Sequence, residues 1–279
     1  MVLREHMSGT TMSNDWLVSY PRSGNTWLRY IIEWHLLRPT IGYWQPGQLI
    51  EGQKQLSKHH IDSPIYNKVN CPNVISYIGN NKPVLKRHSV SEIEPQQSDV
   101  LVLLLRNYKE CIMRHLMTID EGLAIIRAYD PESKQTSRYF NETCYEEVEK
   151  YMDNVQRYED WPGPKMIVYY EELILNPSKE IIKVLEFLNH ECAQDTIISR
   201  HKDFMRDYEG HKQASLQIYA HNGDEPITNG QPSSLRHYSA TLQSSEWGKE
   251  IPLKLDIKAA ECNQELWVRY LKQYREMKK

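Results

Sequence analysis

The run Asp99-Val-Leu-Val-Leu-Leu-Leu105 constrains the fold more than any other segment. A strand with one wet face alternates apolar and polar residues. A strand apolar on both faces needs cover on both sides, the setting of a parallel sheet flanked by helices. The run stops at Arg106-Asn107, which places polar groups at its carboxyl end. Shorter runs of the same kind are Trp16 to Tyr20, Pro83 to His88 and Lys165 to Tyr170. Helical spacing predicts helices over Thr26 to Leu37 (closed by Pro39), Lys109 to Ile119, Cys144 to Trp161, Ser178 to Asn189 with Ser178 as cap, and Leu255 to Tyr274. Strands alternating with helices predict an α/β single domain with a central parallel β-sheet and helices on both faces.

The intervening segments read as loops. Residues 40–82 hold Gly42, Pro46, Gly47, Gly52, Pro64 and Pro72, and suit a substrate mouth with short helices. Residues 129–143 are polar and broken by Pro131, and 207–235 read as a long flexible loop, a candidate lid. Residues 1–12 are polar, with the look of a disordered, tag-derived start, so the domain is taken as 13–279.

Hydrophobic residues make up 40% of the chain and charged ones 25%, enough for an ordinary core. The net charge is −3 with scattered basic residues, which argues against nucleic acid as a partner. Cys71, Cys111, Cys144, Cys192 and Cys262 form no CxxC pair and are odd in number. That pattern points to a reducing, cytoplasmic setting rather than a disulfide framework or a zinc site. No metal-binding spacing, membrane span or signal peptide is expected.

The chemistry starts at Tyr20-Pro21-Arg22-Ser23-Gly24-Asn25-Thr26-Trp27, a glycine turn between a strand and a helix. Backbone N–H groups at a helix start, with the helix dipole, favour an anion. Ser23, Asn25 and Thr26 add side-chain donors, and Arg22 adds a guanidinium fork. The segment is not GxxxxGK[ST], so it is no Walker A loop. By this pattern alone it is only an anion site.

The eight-residue string resembles the 5′-phosphosulfate loop of cytosolic sulfotransferases, usually YPKSGTTW, and matches it at six positions. Three further matches follow in order. Pro83-Val-Leu-Lys86-Arg87-His88 is similar to the segment whose Lys-Thr-His carries the family's catalytic histidine. Leu105-Arg106-Asn107-Tyr108-Lys109-Glu110 is similar to the 3′-phosphate motif Arg-Asn-Pro-Lys-Asp, and Tyr169-Tyr170-Glu171-Glu172-Leu173 to a strand end whose tyrosine contacts adenine. The resemblance implies a P-loop-containing nucleotide-hydrolase-like fold and transfer of a sulfonate from 3′-phosphoadenosine 5′-phosphosulfate (PAPS) to a small-molecule acceptor, with adenosine 3′,5′-bisphosphate (PAP) as product.

By the same resemblance His88 is the general base, with Arg22 and Lys86 stabilising charge on the transferred group. Ser23, Gly24, Asn25 and Thr26 hold the 5′ side, and Trp27 stacks on adenine. Arg106 binds the 3′-phosphate and Tyr170 borders the base. Arg114 stands where the family has serine, and Arg236, in Leu235-Arg236-His237-Tyr238, is the nearest match to the family's closing segment. Lys86 and His88 would share one side of their strand by two-residue alternation.

Two other readings stay open at this level. An atypical P-loop phosphotransferase would turn over ATP with magnesium and stop in EDTA. A non-catalytic module would bind the bisphosphate and transfer nothing. The acceptor (hydroxyl or amine, ring-bearing molecule, sugar or other polar metabolite) and the oligomeric state are not legible.

Overall fold

The computed structural model describes residues 13–38, 40–42, 84–116, 132–188, 193–220 and 246–273. Five strands form one fully parallel sheet: β1 (Asp15–Ser19), β2 (Thr40–Gly42), β3 (Val84–Arg87), β4 (Val100–Leu105) and β5 (Lys165–Tyr169). Their order is β2-β3-β1-β4-β5. β1 is central and the chain switches sides around it, so its carboxyl end opens at the switch point where ligands of such sheets sit.

The continuous apolar run is buried on both faces. Leu101, Leu103 and Leu105 point into one core cluster, while Val100, Val102 and Leu104 point into the other. α1 (Asn25–Leu36) covers the second cluster with residues of the later helices. α2 (Tyr108–Leu116) and α3 (Lys134–Glu159) cover the first. The chain then runs through α4 (Tyr170–Leu175), α5 (Pro177–Leu188), α6 (Gln194–Arg206), α7 (Tyr208–Ala220) and α8 (Glu246–Cys262).

Four expectations are corrected. The polar stretch before Cys144 is not all loop, because α3 begins at Lys134. Phe140, Cys144, Val148, Tyr151 and Val155 form its buried stripe at helical spacing, and apart from buried Glu147 and Asn154 the polar residues between them are half-buried or exposed. The stretch 207–235 starts as helix α7, and only 221–235 lies outside the described residues. This helix meets α1 through polar and aromatic side chains, with Tyr30 Oη 3.0 Å from His211 Nδ1, so it carries no apolar stripe to read. Ser178 is no cap, since the helix already starts at Pro177; its Oγ instead lies 2.8 Å from His201 Nε2. The last helix starts before Leu255 and holds Pro252 within it, and it breaks at Asn263, whose Oδ1 accepts from Leu266 N at 3.1 Å.

Three of these elements carried no sequence signal, and one of them, α4, begins at Tyr170, where the sequence reads as strand. The strand β2 is three residues long, at the sheet edge. It is tied to α1 by buried Arg29, whose Nε and Nη2 donate to Thr40 Oγ1 at 2.8 Å and Thr40 O at 2.9 Å. The helix α6 fell between two assigned segments.

Candidate active site

The turn after β1 is set by backbone geometry. Ser23 N donates to Tyr20 O at 3.3 Å, and Gly24 O receives Trp27 N at 3.1 Å and Leu28 N at 3.3 Å to start α1. Arg22 (φ 67°) and Gly24 (φ 93°) are both left-handed. Alternating hands of this kind turn successive N–H groups toward one concavity, an anion nest at a helix start. At Gly24 a Cβ would fall 2.4 Å from Cδ2 and Cε2 of Tyr170, so the position admits no side chain.

Tyr170, the first residue of α4, thus closes over the loop. The Arg106 guanidinium lies 4.4 Å from the centre of its ring, and Arg106 Nη1 donates to Arg22 O at 3.3 Å. Arg106 Nη2 reaches Glu110 Oε1 at 2.7 Å, and Arg114 Nη2 pairs with the same oxygen. The buried Nε atoms of both arginines have no hydrogen-bond partner. Burial and the neighbouring Arg106 lower the Arg114 pKa, while Glu110 works to hold it up. Loop, Arg106, Arg114 and Tyr170 therefore form one assembly at the carboxyl ends of β1, β4 and β5.

Three loop residues look elsewhere. Ser23 is fully buried with Oγ 3.5 Å from Cys111 Sγ, and Asn25 Nδ2 donates to Ser19 Oγ at 2.8 Å. Their side chains brace the turn rather than project donors from it, which corrects the expectation for both. Trp27 is 6% exposed and packs on Tyr30, Phe204 and Tyr208. Arg22 is exposed, Thr26 is half-buried, and Arg236 lies outside the described residues.

On the other side of β1, β3 and the residue after it carry the pair Lys86 and His88. Lys86 is 8% exposed, and its Nζ lies 2.5 Å from His88 Nε2. His88 Nδ1 lies 3.1 Å from Ser19 O. A carbonyl only accepts, so Nδ1 carries the proton and Nε2 keeps its lone pair. Burial first, then the Lys86 ammonium, push the imidazole down to about 4, against the pull of the Ser19 carbonyl. Near neutral pH His88 is an uncharged acceptor at Nε2.

Sequence reasoning had no signal for the residues that hold this histidine. Asn154 of α3 donates from Nδ2 to His88 O at 3.1 Å and accepts Val90 N at Oδ1, 2.7 Å away. Tyr20 Oη donates to buried Glu147, which also pairs with Lys150 Nζ at 2.5 Å. A cleft of about 530 Å³ opens beside His88, walled by Tyr20, His115, Glu147 and Asn154 among others. Among the described residues no group of His, Cys, Asp and Glu could hold a metal ion.

Residues 13–238 match the sulfotransferase domain family. The chain belongs to the sulfotransferase family. Sulfotransferase 1A1 of Rattus norvegicus is 25% identical over 219 residues, covering 71% of this chain and 68% of that protein. Sulfotransferase 1E1 of Bos taurus is 23% identical over 210 residues, covering 67% and 63%. The fold is shared with mouse sulfotransferase SULT7A1, solved in complex with PAP, at a TM-score of 0.50 and 15% identity over 95% of this chain and 89% of that one. This sulfotransferase is accordingly a transferase enzyme that uses PAPS as sulfonate donor.

Proposed function

We propose that His88 is the general base of sulfonate transfer to a small-molecule acceptor and that the loop 22–27 with Arg106, Arg114 and Tyr170 holds the donor nucleotide. The residues present fit such a group. The nest at Arg22–Gly24 suits the 5′ side, and the two arginines with unpartnered Nε atoms suit a 3′-phosphate. The bound donor supplies the sulfonate, and PAP is the product. By resemblance Tyr170 borders the adenine and Trp27 stacks on it.

The observation that carries the reading is the Lys86–His88 contact beside the Ser19 carbonyl. Pinned at Nδ1, the imidazole presents Nε2 to whatever hydroxyl enters the cleft, and takes its proton there. The Lys86 ammonium now rests on that lone pair. When the acceptor hydroxyl takes the place, Lys86 Nζ is freed toward the sulfonate side, where Arg22 supplies a second cation. The free Cys111, Cys144 and Cys262 support a reducing, cytoplasmic setting. Chemical rescue tests the base: added imidazole should restore part of the transfer lost in His88→Ala, and no restoration at saturating imidazole would count against the role.

A further inference from the structure

One face of α3 reaches the ends of three strands. Glu147, Tyr151 and Asn154 follow one another at four- and three-residue spacing, which puts them on the same side of the helix. All three are buried, where a polar group is kept only with a partner. Glu147 accepts from Tyr20 Oη, one residue past β1. Tyr151 Oη donates to Arg106 O at 2.7 Å and accepts from Arg106 N at 3.2 Å, one residue past β4. Asn154 brackets the turn after β3, donating from Nδ2 to His88 O at 3.1 Å and accepting Val90 N at Oδ1, 2.7 Å away.

These contacts sit where the sheet stops holding itself. The register between β1 and β3 runs to Val18 and Arg87, and that between β1 and β4 to Ser19 and Leu104. The groups that α3 holds lie just past those pairs, and most are backbone N–H or C=O groups that need a partner there. The ring of His88 depends on the same helix by a longer route. Its Nδ1 faces Ser19 O, and Tyr20, the next residue, is tied to Glu147. The rings of Tyr20 and Tyr151 pack with centres 5.3 Å apart, so the supports at β1 and β4 touch each other.

We propose that Asn154 and Tyr151 are positioning residues for sulfonate transfer, with α3 the common support that fixes the base against the donor. Asn154 acts through His88 and Tyr151 through Arg106. This rests on His88 being the base and Arg106 a donor contact. Reacting atoms must be held about 3–3.5 Å apart, and a misplacement of about 1 Å costs on the order of 10²-fold. A side chain that holds the backbone of the base therefore changes turnover without touching donor or acceptor.

A double-variant cycle tests Asn154, because two residues that act in one step do not add. Asn154→Ala should lower kcat by about ten- to a hundredfold, with PAP affinity within about twofold of the parent. Placed on His88→Ala, the same substitution should cost less than about a further twofold, since the base it positions is gone. A merely structural asparagine would lower the rate by the same factor in both backgrounds, which would overturn the inference. Asn154→Asp keeps the acceptor for Val90 N and loses the donor to His88 O, so it carries the same cycle if the alanine variant does not fold. Tyr151→Phe removes one hydroxyl and should weaken PAP several-fold, while adenosine 5′-monophosphate, which has no 3′-phosphate, binds as it does to the parent. Unchanged PAP binding, or an equal loss for both nucleotides, would overturn the role of Tyr151. Near-normal turnover in His88→Ala alone would instead sink the base reading, and the role of Asn154 with it.

Discussion

Lys86 Nζ lies 2.5 Å from His88 Nε2, so a cation rests on the lone pair of a buried, neutral imidazole. The contact adds to burial in keeping His88 neutral and, under the proposed role of His88, marks where the acceptor hydroxyl enters. It also sets the acid limb of the pH profile. Burial is the larger cause of the lowered His88 pKa and the Lys86 charge the second. Lys86→Met removes the second, so the His88 pKa rises and the acid limb of kcat/KM moves to higher pH, alongside a fall in kcat. A limb that stays in place would show that the two side chains do not titrate together.

Arg106 and Arg114 meet on one oxygen of Glu110. If the pair holds the 3′-phosphate, Arg106→Ala should weaken PAP by roughly ten- to a hundredfold, the worth of a charge-assisted hydrogen bond. Adenosine 5′-monophosphate, which lacks that phosphate, should bind the variant and the parent alike. Isothermal calorimetry with the two nucleotides separates this from general damage to the site.

Gly24 is left-handed, and a Cβ there would overlap the Tyr170 ring. Gly24→Ala should therefore cost about 1–2 kcal/mol in backbone strain alone. The ring must also move, so PAP affinity should fall as well. Thermal melts with and without PAP report both, and the ligand-induced rise in Tm should shrink.

How far the sequence carried can be seen at particular residues. The strand Val100–Leu105 was plain because both of its faces are buried, and the loop–His88–Arg106–Tyr170 series was legible through its ordered resemblance to the family's motifs. Asn154 and Glu147 were not, because each reaches the site from the middle of a long helix, through contacts such as that between residues 88 and 154. Ser23 and Asn25 were read as outward donors; only the fold shows Cys111 and Ser19 waiting behind them. The start of α3 was hidden because a helix with one wet face reads as a polar loop in a short window.

Acid should destabilise the protein over a defined range. Burial pushes fully buried His35 down to about 4, and His88 also lies near 4. Below the ordinary histidine value near 6.5 the unfolded chain takes up protons that the folded chain refuses, so stability is complete above that pH. It should fall as pH drops toward about 4, by up to about 3 kcal/mol for His35 alone at 1.36 kcal/mol per unit. Urea melts across this range measure it, and His35→Gln should flatten the slope.

The central claim is that His88 acts on the acceptor and not on the donor. The direct measurement is the rate of sulfonate transfer by His88→Ala beside its PAP dissociation constant from calorimetry. Transfer should drop by about 10²–10⁴-fold with PAP affinity within a factor of about two of the parent. Near-normal transfer, or a loss of PAP binding that matches the loss of rate, would contradict the account.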